Sequence, residues 1–141
     1  MIDAIYNKDV LRLAADITGI EAIENPDATA SLRSPLCGSS IEISITLRDD
    51  RISGYSQKIK ACALGQASAS VMAKAAIGKS KKEIQTARDK VVEMLTRGTA
   101  PPEGDWAPLT ALAPAKAAKP RHGAILLPFD ALLKALNQEK P

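Results

Sequence analysis

Between residues 41 and 47 the chain alternates strictly. Ile41, Ile43, Ile45 and Leu47 take one parity, and Glu42, Ser44 and Thr46 take the other. Successive side chains of a strand point to opposite faces, so this stretch fits a sheet with one face buried and one in water. That favours an antiparallel sheet, because parallel sheets are covered on both faces. Asp49 and Asp50 read as a solvated hairpin turn into a second strand over 51–61. There Tyr55, Gln57, Ile59 and Ala61 share a parity that Ile52 does not, and a bulge at Ser53-Gly54 would restore the register. A third short strand, 28–33, follows the turn signal Asn25-Pro26-Asp27.

Helical spacing frames this sheet. Val10, Leu13, Ala14 and Ile17 predict a first helix over 3–18, with Gly19 as its stop. From Cys62 to Ile77 the residues are small, which predicts a helix packed closely on its neighbour and ended by Gly78. Ser80 and Glu83 form a capping box for the next helix, whose stripe is Ile84, Ala87, Val91, Met94 and Leu95, up to Arg97-Gly98. In the Pro/Ala-rich 99–120 segment, Trp106, Leu109 and Leu112 anchor a short surface helix. A last helical stretch covers 122–137, with Pro128 kinking it or opening a new segment. The expected fold is a single α+β domain over 1–141, a small antiparallel sheet of about three strands packed against helices.

Composition narrows the partners. Aromatics make up only 3% of the 141 residues, so the core is aliphatic and a ring-stacking platform for nucleic acid is excluded. The net charge of +3 is spread along the chain and forms no phosphate-binding stripe. No basic-then-apolar leader and no apolar run of bilayer length is present, so the expected setting is cytoplasmic, with reduced thiols and no membrane contact.

Three soft-metal donors stand at element ends. Cys37 lies in the turn Ser34-Pro35-Leu36-Cys37-Gly38, Cys62 at a strand–helix junction, and His122 before the last helix. A free cysteine is often only a small apolar filler, and a lone histidine is often an ordinary surface residue. A helix N-terminus, however, favours an anion, which suits Cys62 as a thiolate ligand or nucleophile. Ser68 and Ser70 read as helix-packing residues, since no His–Asp pattern activates either one. Lys79, Lys81 and Lys82 read first as a solvated helix start, with docking of an acidic partner as the alternative.

The order of these blocks carries a family likeness. SPLCG (34–38), the alternating strand, KIKACALGQASASVMAKAAIGKS (58–80) and PRHGAILLPFDALLKAL (120–136) together resemble the IscU/NifU-type iron–sulfur cluster assembly scaffolds, closest to the SufU or NifU-like branch. The resemblance implies a site of three cysteines and an aspartate. Cys37 and Cys62 match the first two cysteines, Ser39 stands at the aspartate, Gly123 at the third cysteine, and His122 matches the histidine preceding it. The segment by which IscU proteins engage their chaperone is replaced by AKAAKPRH (115–122), so chaperone binding is not implied.

With Cys37, Cys62 and His122 as cofactor and metal ligands, the implied cargo is a 2Fe–2S cluster, iron, or zinc. Mixed Cys/His ligation has precedent in Rieske centres. Four-coordination leaves a position for water, Ser39, Asp105 or a ligand from a second molecule. The resemblance implies a non-enzymatic scaffold, monomer or homodimer, that meets a cysteine desulfurase and iron–sulfur acceptor proteins. Its alternative is a degenerate paralogue that binds or regulates an assembly factor without building a cluster.

Overall fold

The computed structural model describes residues 5–34 and 38–138. Three strands, β1 (Ala28–Arg33), β2 (Ser40–Arg48) and β3 (Arg51–Lys60), form an antiparallel sheet in the order β1-β2-β3. Ala30 faces Ile43 across the first pairing, and Ile41 faces Ile59 across the second. The alternation in β2 is used as written: Ile41, Ile43 and Ile45 are buried while Glu42 is exposed. Asp49 and Asp50 turn the β2–β3 hairpin with φ of 54° and 62°, the left-handed pair that the strands' own twist requires. The register slips where Thr46 pairs with Gly54 and Leu47 with Ile52, which leaves Ser53 as the extra residue. That is the bulge the parity of β3 demanded, and Ser53 closes it with a 2.9 Å hydroxyl contact to Thr46.

Helices cover one face of the sheet. They are α1 (Lys8–Ala15), α2 (Ala63–Ala75), α3 (Lys81–Arg97) and α4 (His122–Gln138), with a 3₁₀ run over Gly104–Ala117 and a 3₁₀ turn over Lys119–Arg121. α4 packs against β1, β2, α2 and α3. Its Ile125, Phe129 and Leu132 are fully buried with Ile43, Ile45, Met72 and Met94. The predicted stripe of α3 is buried in full, Ser80 and Glu83 make the reciprocal capping box, and Gly98 ends the helix in the left-handed conformation.

Three expectations change. The first helix is shorter than 3–18: Asn7 accepts the Val10 N–H as its cap and the helix ends at Ala15. The chain after it serves the sheet, because the Gly19 carbonyl accepts the Gln57 N–H at 2.7 Å along the outer edge of β3. Gly19 is therefore a close-approach residue (φ 72°), where a Cβ would lie 3.2 Å from Ala73 Cβ and 3.3 Å from the Tyr55 ring. Second, the 99–120 segment holds a fourteen-residue 3₁₀ run. Trp106, Leu109, Leu112 and Ala115 recur every third residue and fall on one buried face, the period of that helix. Third, Pro128 begins no new segment. It lies buried inside a continuous α4.

Candidate functional site

Cys62 is the N-cap of α2. Its backbone is extended (φ −68°, ψ 173°), its side chain makes no capping hydrogen bond, and its thiol is free and half-buried. The residues around it are small for a reason. A Cβ on Gly65 would stand 2.7 Å from Ala61 Cβ and 3.2 Å from the Ala124 carbonyl oxygen. That carbonyl is the one that a residue at 128 would normally bond within the helix, and Pro128 has no N–H to give. One helical turn on from Gly65, the Ser68 hydroxyl donates to the Ile125 carbonyl at 2.6 Å. The start of α2 is thus held close against the start of α4, by the Gly65–Ala124 approach and by the Ser68 hydroxyl.

A third element meets them. A Cβ on Gly123 would lie 3.0 Å from the Ser34 hydroxyl, so the end of β1 abuts the start of α4. Ser34 is buried, its N–H donates to the Ser39 carbonyl at 2.7 Å, and its carbonyl accepts the Gly38 N–H at 2.9 Å. These bonds draw residues 34 and 38–39 together. Cys37, with Pro35 and Leu36, lies outside the described residues, so the expectation placed on it is carried by its neighbours alone.

His122 is the first residue of α4, and its Nε2 stands 2.8 Å from the Ala115 carbonyl. A carbonyl can only accept, so that nitrogen carries the proton and a neutral ring keeps its lone pair on Nδ1. Asp105, one candidate for a fourth ligand, is spent elsewhere: its carboxylate pairs with Lys79 Nζ at 2.7 Å. Ser39 is buried, 4% exposed. Among the described residues, no three His, Cys, Asp or Glu side chains gather closely enough to hold a metal ion. Of the three principal donors Cys37, Cys62 and His122, the described residues contain Cys62 and His122. Sequence reasoning did not find Ser34 or the Gly65–Ala124 contact. A lone glycine inside a small-residue helix was the available signal for the second.

Buried polar groups away from these helix starts are structural. Tyr55 donates to Gln57 Oε1 at 2.9 Å, and Gln57 donates to the Thr18 and Ala69 carbonyls. Burial pushes the Tyr55 phenol far above its ordinary range, so it remains a proton donor in the folded chain. Ser70 donates to the Asp16 carbonyl, and Ser68 and Ser70 are packing residues as expected. No helix among the described residues is long and apolar enough to cross a membrane.

Comparison with known proteins gives one consistent answer. The model of the NifU-like N terminal domain matches residues 5–119. The iron–sulfur cluster assembly scaffold protein IscU of Streptococcus pyogenes is 27% identical over 122 residues, which is 86% of this chain and 72% of that protein. Among solved structures, an N-terminal nitrogen-fixing NifU-like protein from Brucella abortus has a TM-score of 0.93 at 40% identity, covering 98% of this chain and 96% of its own. A scaffold of the SUF system from Fervidobacterium islandicum has a TM-score of 0.84 at 25% identity, covering 95% of this chain and 98% of its own.

Proposed function

The chain belongs to the NifU-like N-terminal domain family, and from that premise we propose that it is an iron–sulfur cluster assembly scaffold, a binding protein that carries its cargo without turning over a substrate. Scaffolds of this family hold clusters transiently and are in general not catalysts. The cargo proposed here is iron or a 2Fe–2S cluster, with zinc as a competing ion. Cys37 and Cys62 supply thiolates and His122 supplies Nδ1, its other nitrogen held by the Ala115 carbonyl in the manner common to ligating histidines. A donor of water, or of a second copy of the chain, completes four-coordination. The proposed protein partners are a cysteine desulfurase and cluster acceptors.

The observation that carries this reading is the meeting of three chain segments: the start of α2 with Cys62, the start of α4 with His122, and the loop end at Ser34 that leads to Cys37. Glycines at 65 and 123 make that meeting tight. All three donors must be unprotonated to bind, so affinity falls as pH is lowered.

The test is anaerobic loading with ferrous iron and sulfide, read by visible absorbance and metal analysis. Wild type is expected to take up iron, and Cys62→Ala and Cys37→Ala each to lose it. Equal uptake by wild type and both variants, or none by wild type with its thiols intact, rejects the reading.

A further inference from the structure

Ser34 ends the inward row of β1. Ala28 and Ala30 are buried toward the helices, Leu32 shares their parity, and the alternation carries on to Ser34, which is 6% exposed. A hydroxyl thus closes a row of apolar side chains at the end of the sheet that meets the start of α4. Burying it there is unfavourable unless something bonds to it.

Other buried polar side chains are satisfied inside the fold. Gln57 donates to the Thr18 and Ala69 carbonyls, Ser68 to that of Ile125 and Ser70 to that of Asp16. Among the described residues the Ser34 hydroxyl has no hydrogen-bond partner. No fully enclosed side-chain oxygen or nitrogen there goes without a bond, so the small exposed part of Ser34 includes its hydroxyl. Ser56 is also buried without a bond, but it lies between the core-facing Tyr55 and Gln57 and points to the open side of the sheet, opposite Ser44.

Position sets Ser34 apart. Its Oγ lies 3.0 Å from where a Gly123 Cβ would stand. Beyond α4 itself, the Ser34 Cβ at 3.9 Å is the only other described atom within 4 Å of that point. Gly123 therefore keeps open space in front of the hydroxyl at the first turn of α4. His122 precedes Gly123, and Ala124 follows it with the carbonyl that Gly65 approaches, three residues on from Cys62.

We infer that the Ser34 hydroxyl oxygen is a donor to the metal cargo, the fourth beside Cys37, Cys62 and His122. The inference rests on the proposed function for those three. A serine oxygen is neutral and carries two lone pairs. Two thiolates already balance one divalent ion and His122 is a neutral ring, so a neutral oxygen completes the tetrahedron without excess charge. The chain then supplies from within the donor otherwise left to water or to a second copy.

The test loads the metal-free full chain with zinc alone, and X-ray absorption counts the sulfur neighbours at about 2.3 Å. Wild type is expected to show two and Ser34→Cys three, because a thiol in place of the hydroxyl enters the same shell. Ser56→Cys should keep two. Ser34→Ala should weaken zinc binding at least tenfold in competition with a chelator, while its metal-free urea midpoint stays at or above that of wild type. Circular dichroism checks that each variant is folded. Two sulfurs in folded Ser34→Cys, or wild-type affinity in Ser34→Ala, overturns the inference and returns the fourth position to water or a second copy. A third sulfur in Ser56→Cys overturns it as well, since any added thiol would then suffice. A wild-type zinc shell without sulfur rejects the scaffold reading itself, so the two failures are told apart.

Discussion

Gly65→Ala offers the sharpest test of how the site is held together. In an exposed helix this change stabilises by about 1 kcal/mol, because alanine is the better helix former. Here the new Cβ would lie 2.7 Å from Ala61 Cβ, 3.2 Å from the Ala124 carbonyl oxygen and 3.5 Å from Ala124 Cβ. None of these atoms is the free end of a flexible side chain, so α2 and α4 must separate or the Ala61–Cys62 link must shift. Overpacking of this kind costs about 1–3 kcal/mol, which outweighs the helix gain and leaves a net loss of up to about 2 kcal/mol. Urea denaturation with an unchanged m-value measures it. The double variant Ala61→Gly/Gly65→Ala removes the shortest contact and separates packing from propensity, with an expected coupling of at least about 0.5 kcal/mol. A gain of about 1 kcal/mol for Gly65→Ala, together with additive behaviour in the double variant, would refute the close approach of the two helices.

Other consequences are independent of that contact. Ser68→Ala removes the 2.6 Å bond to the Ile125 carbonyl and should cost about 1 kcal/mol in the same denaturation assay. Tyr55→Phe strips Gln57 of its donor inside the core and should cost about 1–3 kcal/mol, and in wild type the Tyr55 phenolate should appear in alkaline absorbance only as the chain unfolds. Glu83 is held below the usual carboxylate range, first by the Ser80 backbone N–H and then by Arg51. Its folded-state value is depressed, so its contribution is present above the ordinary carboxylate range and lost as pH falls through the lower folded value. Thermal unfolding followed against pH should therefore show a shallower acid decline in Glu83→Gln than in wild type.

The sheet and its bulge were legible because a period of two is unambiguous in Ile41–Leu47, and the parity change at Ile52 can be absorbed in only one place. The α3 helix was legible at both ends because its capping box and Gly98 are local signals. The first helix was overextended because Ile17 keeps the apolar spacing of Val10 and Leu13, although tertiary contact turns the chain after Ala15 toward β3. Pro128 was read by its local cost alone. Gly65 of α2 instead comes close to the Ala124 carbonyl, the one that a residue at 128 would bond if it had an N–H. Long-range complementarity of that kind leaves no periodic trace. At the candidate site, Cys62 and His122 stand out in the sequence by residue type, whereas Ser34 does not, because a serine before a proline reads as an ordinary turn. Only its contact with Gly123 marks it.

X-ray absorption at the zinc edge of the zinc-loaded chain tests the shared site most directly. Two sulfur neighbours at about 2.3 Å and one imidazole nitrogen at about 2.0–2.1 Å are expected, with one sulfur lost in Cys62→Ala. A zinc shell of oxygen and nitrogen alone, unchanged by that substitution, would contradict it.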